Sequence, residues 1–302
     1  MRDFVAGNIG EIAALATAFC WTLTSMVFEW AGKKVGSLSV NLIRLIMAFL
    51  MLGLYTLITQ GHFLPSGVGS HGWIWLSISG LIGFVIGDLL LFQAYVVVGA
   101  RISMLIMSLS PPLTALFGWL IIGEKLSLAN SIGMMITIWG IALVVLAKPK
   151  IGKKISFHYP VKGILLAMGG AAGQGLGLVL SKFGMKGLDP FMSTQIRAIS
   201  AIIGFSLLFT ITKNWNKIFS AFKNKQAMIG ISIGAFFGPF LGVSLSLLAI
   251  QHTSTGIVST LNSLTPVLII PFAIFWFKEK ITLKEFVGAV IAVLGVIIFF
   301  IY

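Results

Sequence analysis

Apolar runs of roughly twenty residues, repeated along its whole length, constrain this chain more than any other feature, because that is the helix length that crosses a bilayer's hydrocarbon core. They fall at 10–30, 38–59, 72–98, 102–122, 128–147, 161–181, 190–212, 227–250, 256–277 and 283–302. The connections are short and carry turn formers or lysine, as in Gly32-Lys33-Lys34, Pro65-Ser66-Gly67, Lys148-Pro149-Lys150 and Lys213-Asn214-Trp215-Asn216-Lys217. A water-soluble chain with 58% hydrophobic and 10% charged residues would expose large apolar patches. The lipid bilayer is therefore the expected solvent, and an all-α integral membrane fold of ten spanning helices the expected architecture. Trp73, Trp75, Tyr159, Trp215 and Tyr302 fall near segment ends, where amphipathic rings favour the headgroup region. Only nine residues precede the first run, which reads as a retained helix and not a cleaved signal. The single cysteine, Cys20, lies inside that run, so neither a disulfide framework nor a thiolate metal site is expected.

The second constraint is an internal repeat. A shift of 155 superposes Gly83, Gly87, Ala94, Ser108, Leu109, Pro111, Leu113, Phe117, Glu124, Lys125, Leu128, Gly133 and Gly140 on identical residues from Gly238 to Gly295. A shift of 153 pairs Gly10, Ala18, Lys33, Ile43, Arg44, Ile46 and Ala48 with Gly163, Ala171, Lys186, Ile196, Arg197, Ile199 and Ala201. Residues 1–150 and 151–302 thus read as two related units of five helices each. Because five is odd, equivalent helices must enter the membrane from opposite sides, which makes the repeat inverted, an architecture recurrent in secondary transporters.

The net charge of +13 has its explanation in topology, not in a nucleic-acid partner, since the lysines fall between apolar runs. Sixteen of the 21 lysines and arginines lie on one side of the alternating topology, among them Lys33, Lys34, Lys148, Lys150, Lys153 and Lys154; Arg2, Lys125, Lys182, Lys186 and Arg197 lie on the other. The richer side is predicted to be cytoplasmic, which places both termini outside a plasma membrane, the inner membrane in a bacterium.

The tail of each half carries the most specific pattern: Pro111, then Gly123-Glu124-Lys125, Leu128, Gly133 and Gly140, repeated as Pro266, Lys278-Glu279-Lys280, Leu283, Gly288 and Gly295. In these residues the chain resembles the EamA-like ten-helix branch of the drug/metabolite transporter superfamily. The resemblance implies a carrier of metabolites, amino acids, nucleotide-sugars or drugs, with a central cavity lined by helices 1, 3, 4, 6, 8 and 9. Many members of that family have both termini inside, a departure from the charge bias here.

Asp88 is the acidic residue placed deepest in a segment, sixteen residues into the third. At that depth it needs a partner, a proton or water, so it reads either as a proton- or substrate-binding group or as a structural pair. Trp21 and Gln174 occupy equivalent depths in the first and sixth segments and are candidate cavity residues. Ser108, Ser110, Asn262, Ser263 and Thr265 flank Pro111 and Pro266. A proline frees a carbonyl and kinks a helix, which makes these polar neighbours candidate solute contacts; hydroxyls bonding back to their own helix are the plainer alternative. Gln93, Tyr95, Ser244 and Ser246 add polar groups on the third and eighth segments. Arg44 and Arg197, near the starts of the second and seventh, are expected to snorkel to opposite surfaces or pair there, with an anion-attracting gate as the other reading. Glu124 and Glu279 read as helix-start carboxylates. Gly230, Gly234, Gly238 and Gly242 read as a helix-packing face. The cluster Gly169, Gly170, Gly173, Gly175 and Gly177 follows no strand and has no phosphate-loop lysine. No enzymatic motif is present, and His62, His71, His158 and His252 all lie in connections.

The expected function is export of a small metabolite, an amino acid or related compound, by alternating access and without a cofactor. The expected partners are that solute, the bilayer and, if Asp88 titrates, the proton. A multidrug exporter is the alternative within transport; a membrane-embedded enzyme or lipid-handling protein is the alternative from another class.

Overall fold

Apolar sequence in runs this long has one economical way to satisfy its backbone without water, and helices take up almost all of the described chain. The computed structural model describes residues 7–98, 103, 106–147, 160–265, 267–268 and 282–301. The elements are α1 (Ile9–Val35), α2 (Ser37–Gln60), a broken helix α3 (Ser70–Gly80, a π-helical turn Leu81–Gly87, then Asp88–Val98), α4 (Ser110–Ile122) and α5 (Leu128–Ala147). They continue as α6 (Val161–Met185), α7 (Pro190–Ile211), α8 (Trp215–Lys223), a second broken helix α9 (Lys225–Ala235, a π-helical turn Phe236–Gly242, then Val243–His252), α10 (Thr255–Asn262) and α11 (Leu283–Ile301).

Local chemistry sets the boundaries. Asp189 accepts the Met192 amide at 2.9 Å and Pro190 occupies the first turn of α7, the two favoured features of a helix start. Gly123 ends α4 at φ 69°, a left-handed backbone that costs glycine nothing. Two expectations from composition need correction. Gly32-Lys33-Lys34 is helical, and the chain turns instead at Gly36, at φ 82°. The Lys213–Lys217 stretch is a turn only at its start: from Trp215 it forms α8, whose Ile218 and Ala221 are buried three residues apart while Phe219 and Phe222 are exposed. That pattern suits a helix lying at an interface.

Among the described residues, six helices are long and apolar enough to cross a bilayer: Ser37–Gln60, Ser70–Ala94, Val161–Met185, Pro190–Ile211, Lys225–His252 and Leu283–Ile301. Shorter apolar helices cover Ile9–Thr24, Ser110–Ile122 and Leu128–Val144. Leu54, Trp139, Ile203 and Ile211 are among many large apolar side chains that point outward, as lipid-facing residues do. The expected span 256–277 lies partly outside the described residues, as does Pro266.

Packing follows the small residues. α1 lies against α9 and α10, α6 against α3 and α4, α2 against α7, and α5 against α11. Along α9, added Cβ atoms at Gly230, Gly238 and Gly242 would meet Trp30 at 3.0 Å, Thr24 at 3.3 Å and Cys20 at 3.2 Å of α1, so the glycine face is a packing face. Between α5 and α11, a Cβ on Gly133 would stand 2.9 Å from the Gly295 carbonyl, and one on Gly288 would stand 2.8 Å from the Gly140 carbonyl. Low numbers meet high ones at this crossing, so the two helices run antiparallel. The two π-helical turns, 81–87 and 236–242, are 155 residues apart.

Candidate functional site

Asp88 is the first residue after the π-helical turn of α3. The turn meets α6 at glycines: a Cβ on Gly177 would lie 2.9 Å from Gly83 Cα, and one on Gly173 would lie 2.8 Å from Gly87 Cα. So close an approach places Gln174 beside the carboxylate. Gln174 Nε2 donates to Asp88 Oδ1 at 2.6 Å and also reaches the Gly83 carbonyl at 3.3 Å. From α2, the Arg44 guanidinium is ion-paired to Asp88 Oδ2, with its charge 5.2 Å from the Phe28 ring centre and 5.7 Å from that of Phe92. Arg197, from α7, lies 4.5 Å over the Phe84 ring and is close enough to Asp88 to feel its charge.

Both arginines depart from their expected place. Arg44 is 3% exposed and Arg197 4%, so neither snorkels to a surface. Each stands seven residues after the first of its helix, about 10 Å of rise, and both point inward toward one aspartate. Depth could be read from the sequence; facing could not. The signal that did exist was their equivalence under the 153-residue shift, which marks them as a matched pair.

A second polar cluster joins α4, α6 and α10. Thr114 Oγ1 donates to Ser259 Oγ at 3.2 Å, and Ser110 Oγ donates to the Ala171 carbonyl at 3.3 Å. Asn262 Nδ2 donates to Ser246 Oγ at 3.2 Å, while its Oδ1 is buried without a partner among the described residues. Ser244 donates to Thr194 at 3.2 Å, joining α9 to α7. The remaining candidates do less. Ser263 and Thr265 bond back to their own segment, to the carbonyls of Ser259 at 2.9 Å and Asn262 at 3.0 Å. Ser108 is buried in the turn before α4. Pro111 sits in the first turn of α4 and opens that helix instead of bending its middle. Trp21 packs against the apolar core, and Gln93 is exposed. The Tyr95 side chain, Pro266 and Glu279 lie outside what is described.

Glu124 does more than start its own helix. Its Oε2 accepts both the backbone amide and the hydroxyl of Thr255, at 2.9 and 2.6 Å, and so caps α10. Lys182 Nζ stands 2.6 Å from Oε1 as an ion pair and gives its aligned hydrogen bond to the Thr253 carbonyl at 2.7 Å. One carboxylate thereby ties the end of α4 to the end of α6 and the α9–α10 junction.

This arrangement, polar and charged groups from several apolar helices meeting at membrane depth, is one that proteins with known relatives share. The model of the EamA-like transporter family matches residues 8–146 and again 161–301. The chain belongs to the EamA-like transporter family. It is an integral membrane protein of the drug/metabolite transporter superfamily, and the family's character is that of a transporter, not an enzyme. Among curated proteins, this EamA-like chain is 22% identical over 95% of its length to solute carrier family 35 member G1 of Homo sapiens, covering 77% of that protein. It is 31% identical over 40% of its length to the uncharacterized transporter YetK of Bacillus subtilis. That second match spans only 36% of the relative. A protein crystal structure with 16% identity superposes with a TM-score of 0.76, covering 96% of this chain and 95% of that one, a likeness of fold alone.

Proposed function

We propose that this transporter exports a small metabolite, an amino acid or related compound, across the plasma membrane by alternating access. Residues 1–150 and 151–302 act as two inverted five-helix units. The observation that carries the reading is the composition of the buried cluster: Asp88 and Arg44 come from the first unit, and Gln174 and Arg197 from the second. A polar seam shared by two movable halves is where a solute can be handed from one side to the other. The antiparallel crossing of α5 and α11 and the matched spacing of the π-helical turns support the inverted relation. The lysine and arginine bias supports termini outside the cytoplasm.

The test has two parts. Purified protein in liposomes should accumulate a labelled amino acid by counterflow, and Lys33 and Lys186 should be modified from opposite faces of the vesicle. Modification of both from one face ends the inverted reading. Coupling to protons through Asp88 requires uptake to follow an imposed pH gradient, and Asp88→Asn to lose that dependence while the protein still elutes as a folded particle. An unchanged pH response removes Asp88 from the coupling. A row of rings across α2, α7 and α9, with Tyr55 stacked on Phe191 at 4.1 Å and Phe240 a further 5.7 Å away, favours multidrug export as a second reading. Dye efflux that amino acids do not compete for would select it.

A further inference from the structure

The buried cluster is not electrically balanced. Two guanidinium groups, Arg44 and Arg197, face one carboxylate, Asp88, and only Arg44 is ion-paired with it. The other carboxylates buried in the described structure, Glu11 and Glu285, lie in the first turns of α1 and α11. α6 supplies only the neutral Gln174. Arg197 makes no hydrogen bond to any described residue, and its Nε is fully shielded without a partner. A guanidinium carries five donors in a rigid fork, and leaving all of them unanswered at 4% exposure is costly at membrane depth. Two further orphans share these helix faces. Asn41, three residues before Arg44, has both amide atoms buried without partners, and Ser193, four residues before Arg197, has a buried hydroxyl without one. Residues three and four apart lie on one side of a helix.

We propose that the site around Arg197 receives the carboxylate of an anionic solute, so that the class carried is a small organic acid with one surplus negative charge. The role in transport rests on the carrier reading above; the binding preference does not. The planar fork of arginine matches the two oxygens of a carboxylate, and one added negative charge brings two cations and one anion to neutrality. Asn41 and Ser193 are placed for the polar groups of the same solute. Asp88 then competes with the solute for the arginines instead of binding it.

The competition gives opposite signs to two substitutions, which a merely structural role would not. The full chain in detergent is titrated with benzoate and with N-acetyl-L-alanine, each against its carboxamide, and with inorganic phosphate, reading the unfolding midpoint, which rises with any ligand that binds the folded state. The acids should raise the midpoint and the carboxamides should not. Arg197→Gln should weaken acid binding roughly ten- to a hundredfold, the size of a lost charge-assisted contact, whereas Asp88→Asn should strengthen it. If Arg197→Gln does not fold, Arg197→Lys, which keeps the charge and loses the fork, should still narrow the acid-to-amide ratio. Equal response to acid and amide, response to phosphate alone, no response to any acid, or weaker acid binding in Asp88→Asn each overturns the proposal. Acid binding without solute flux in liposomes sinks the carrier reading and leaves the anion site; flux of neutral solutes without acid preference does the reverse.

Discussion

Replacing Glu124 by alanine should destabilise the protein more than any other single change on its face of the molecule. The side chain holds three things at once: the first amide of α10, the Thr255 hydroxyl and the Lys182 ammonium. A lost helix cap costs about 1 kcal/mol, and a lost hydroxyl contact to a charged acceptor about 1.5 kcal/mol. The ion pair, with side chains 28% and 17% exposed, adds about 0.5 kcal/mol after allowance for water. The total is about 3 kcal/mol. Each kcal/mol moves the unfolding midpoint of a chain of this order of size by about 2–4 °C, so the alanine variant should melt about 6–12 °C below the parent. Glu124→Gln keeps an acceptor for Thr255 and should lose roughly a third of that. The assay is size-exclusion of detergent-solubilised protein after graded heating, on the parent, both variants, Lys182→Met and the double variant Glu124→Ala with Lys182→Met. Because the two residues share one contact, their effects should fall short of adding. Strict additivity, or an alanine midpoint indistinguishable from the parent's, refutes the assignment. The same contact must break if α4 and α6 separate from the α9–α10 junction, so the alanine variant should also label faster at a cysteine placed at Thr253.

Other outcomes follow from the same geometry. Gly140→Ala puts a methyl 2.7 Å from the Gly288 carbonyl and 2.8 Å from Ala292 Cα; backbone cannot swing aside, and the midpoint should fall by the equivalent of about 1–3 kcal/mol. Gly32→Ala, helical and with nothing within 4 Å, should instead raise stability by up to about 1 kcal/mol, and circular dichroism melts of the two variants would show the opposite signs. Arg44→Gln leaves the buried Asp88 without its ion-pair partner and should cost about 3–5 kcal/mol. Adding Asp88→Asn should recover much of that loss, read as a double-mutant cycle in the same melts. Thr114→Val removes the donor to Ser259 and should cost about 1 kcal/mol, measured by the same heating series.

The membrane spans, the depth of Asp88 and the inward-lying Gln174 were legible because they depend on position along the chain. Apolar run length sets where a helix enters and leaves, and a carboxylate sixteen residues into such a run has few places to go. What was not legible depends on rotation about the helix axis. α2 and α7 are apolar around most of their circumference, so nothing in their spacing says whether Arg44 and Arg197 face lipid or the interior. The π-helical turns were also hidden, since no residue type distinguishes a five-residue from a four-residue hydrogen-bond step. α8 was lost for a different reason: its asparagines and lysines look like turn chemistry, and nine residues are too few for the pattern of Ile218 and Ala221 to outweigh them. The reach of Glu124 to another helix required knowing that α10 begins beside it.

A five-residue step stores one more residue than the α-helical step it replaces. Deleting a single residue between Leu81 and Gly87 could therefore be absorbed by tightening that turn, with the remainder of α3, Asp88 included, keeping its bearing. A deletion at similar depth in α7 has no such slack. It would swing every later residue by about 100°, and the inner face of that helix would be turned away from its partners.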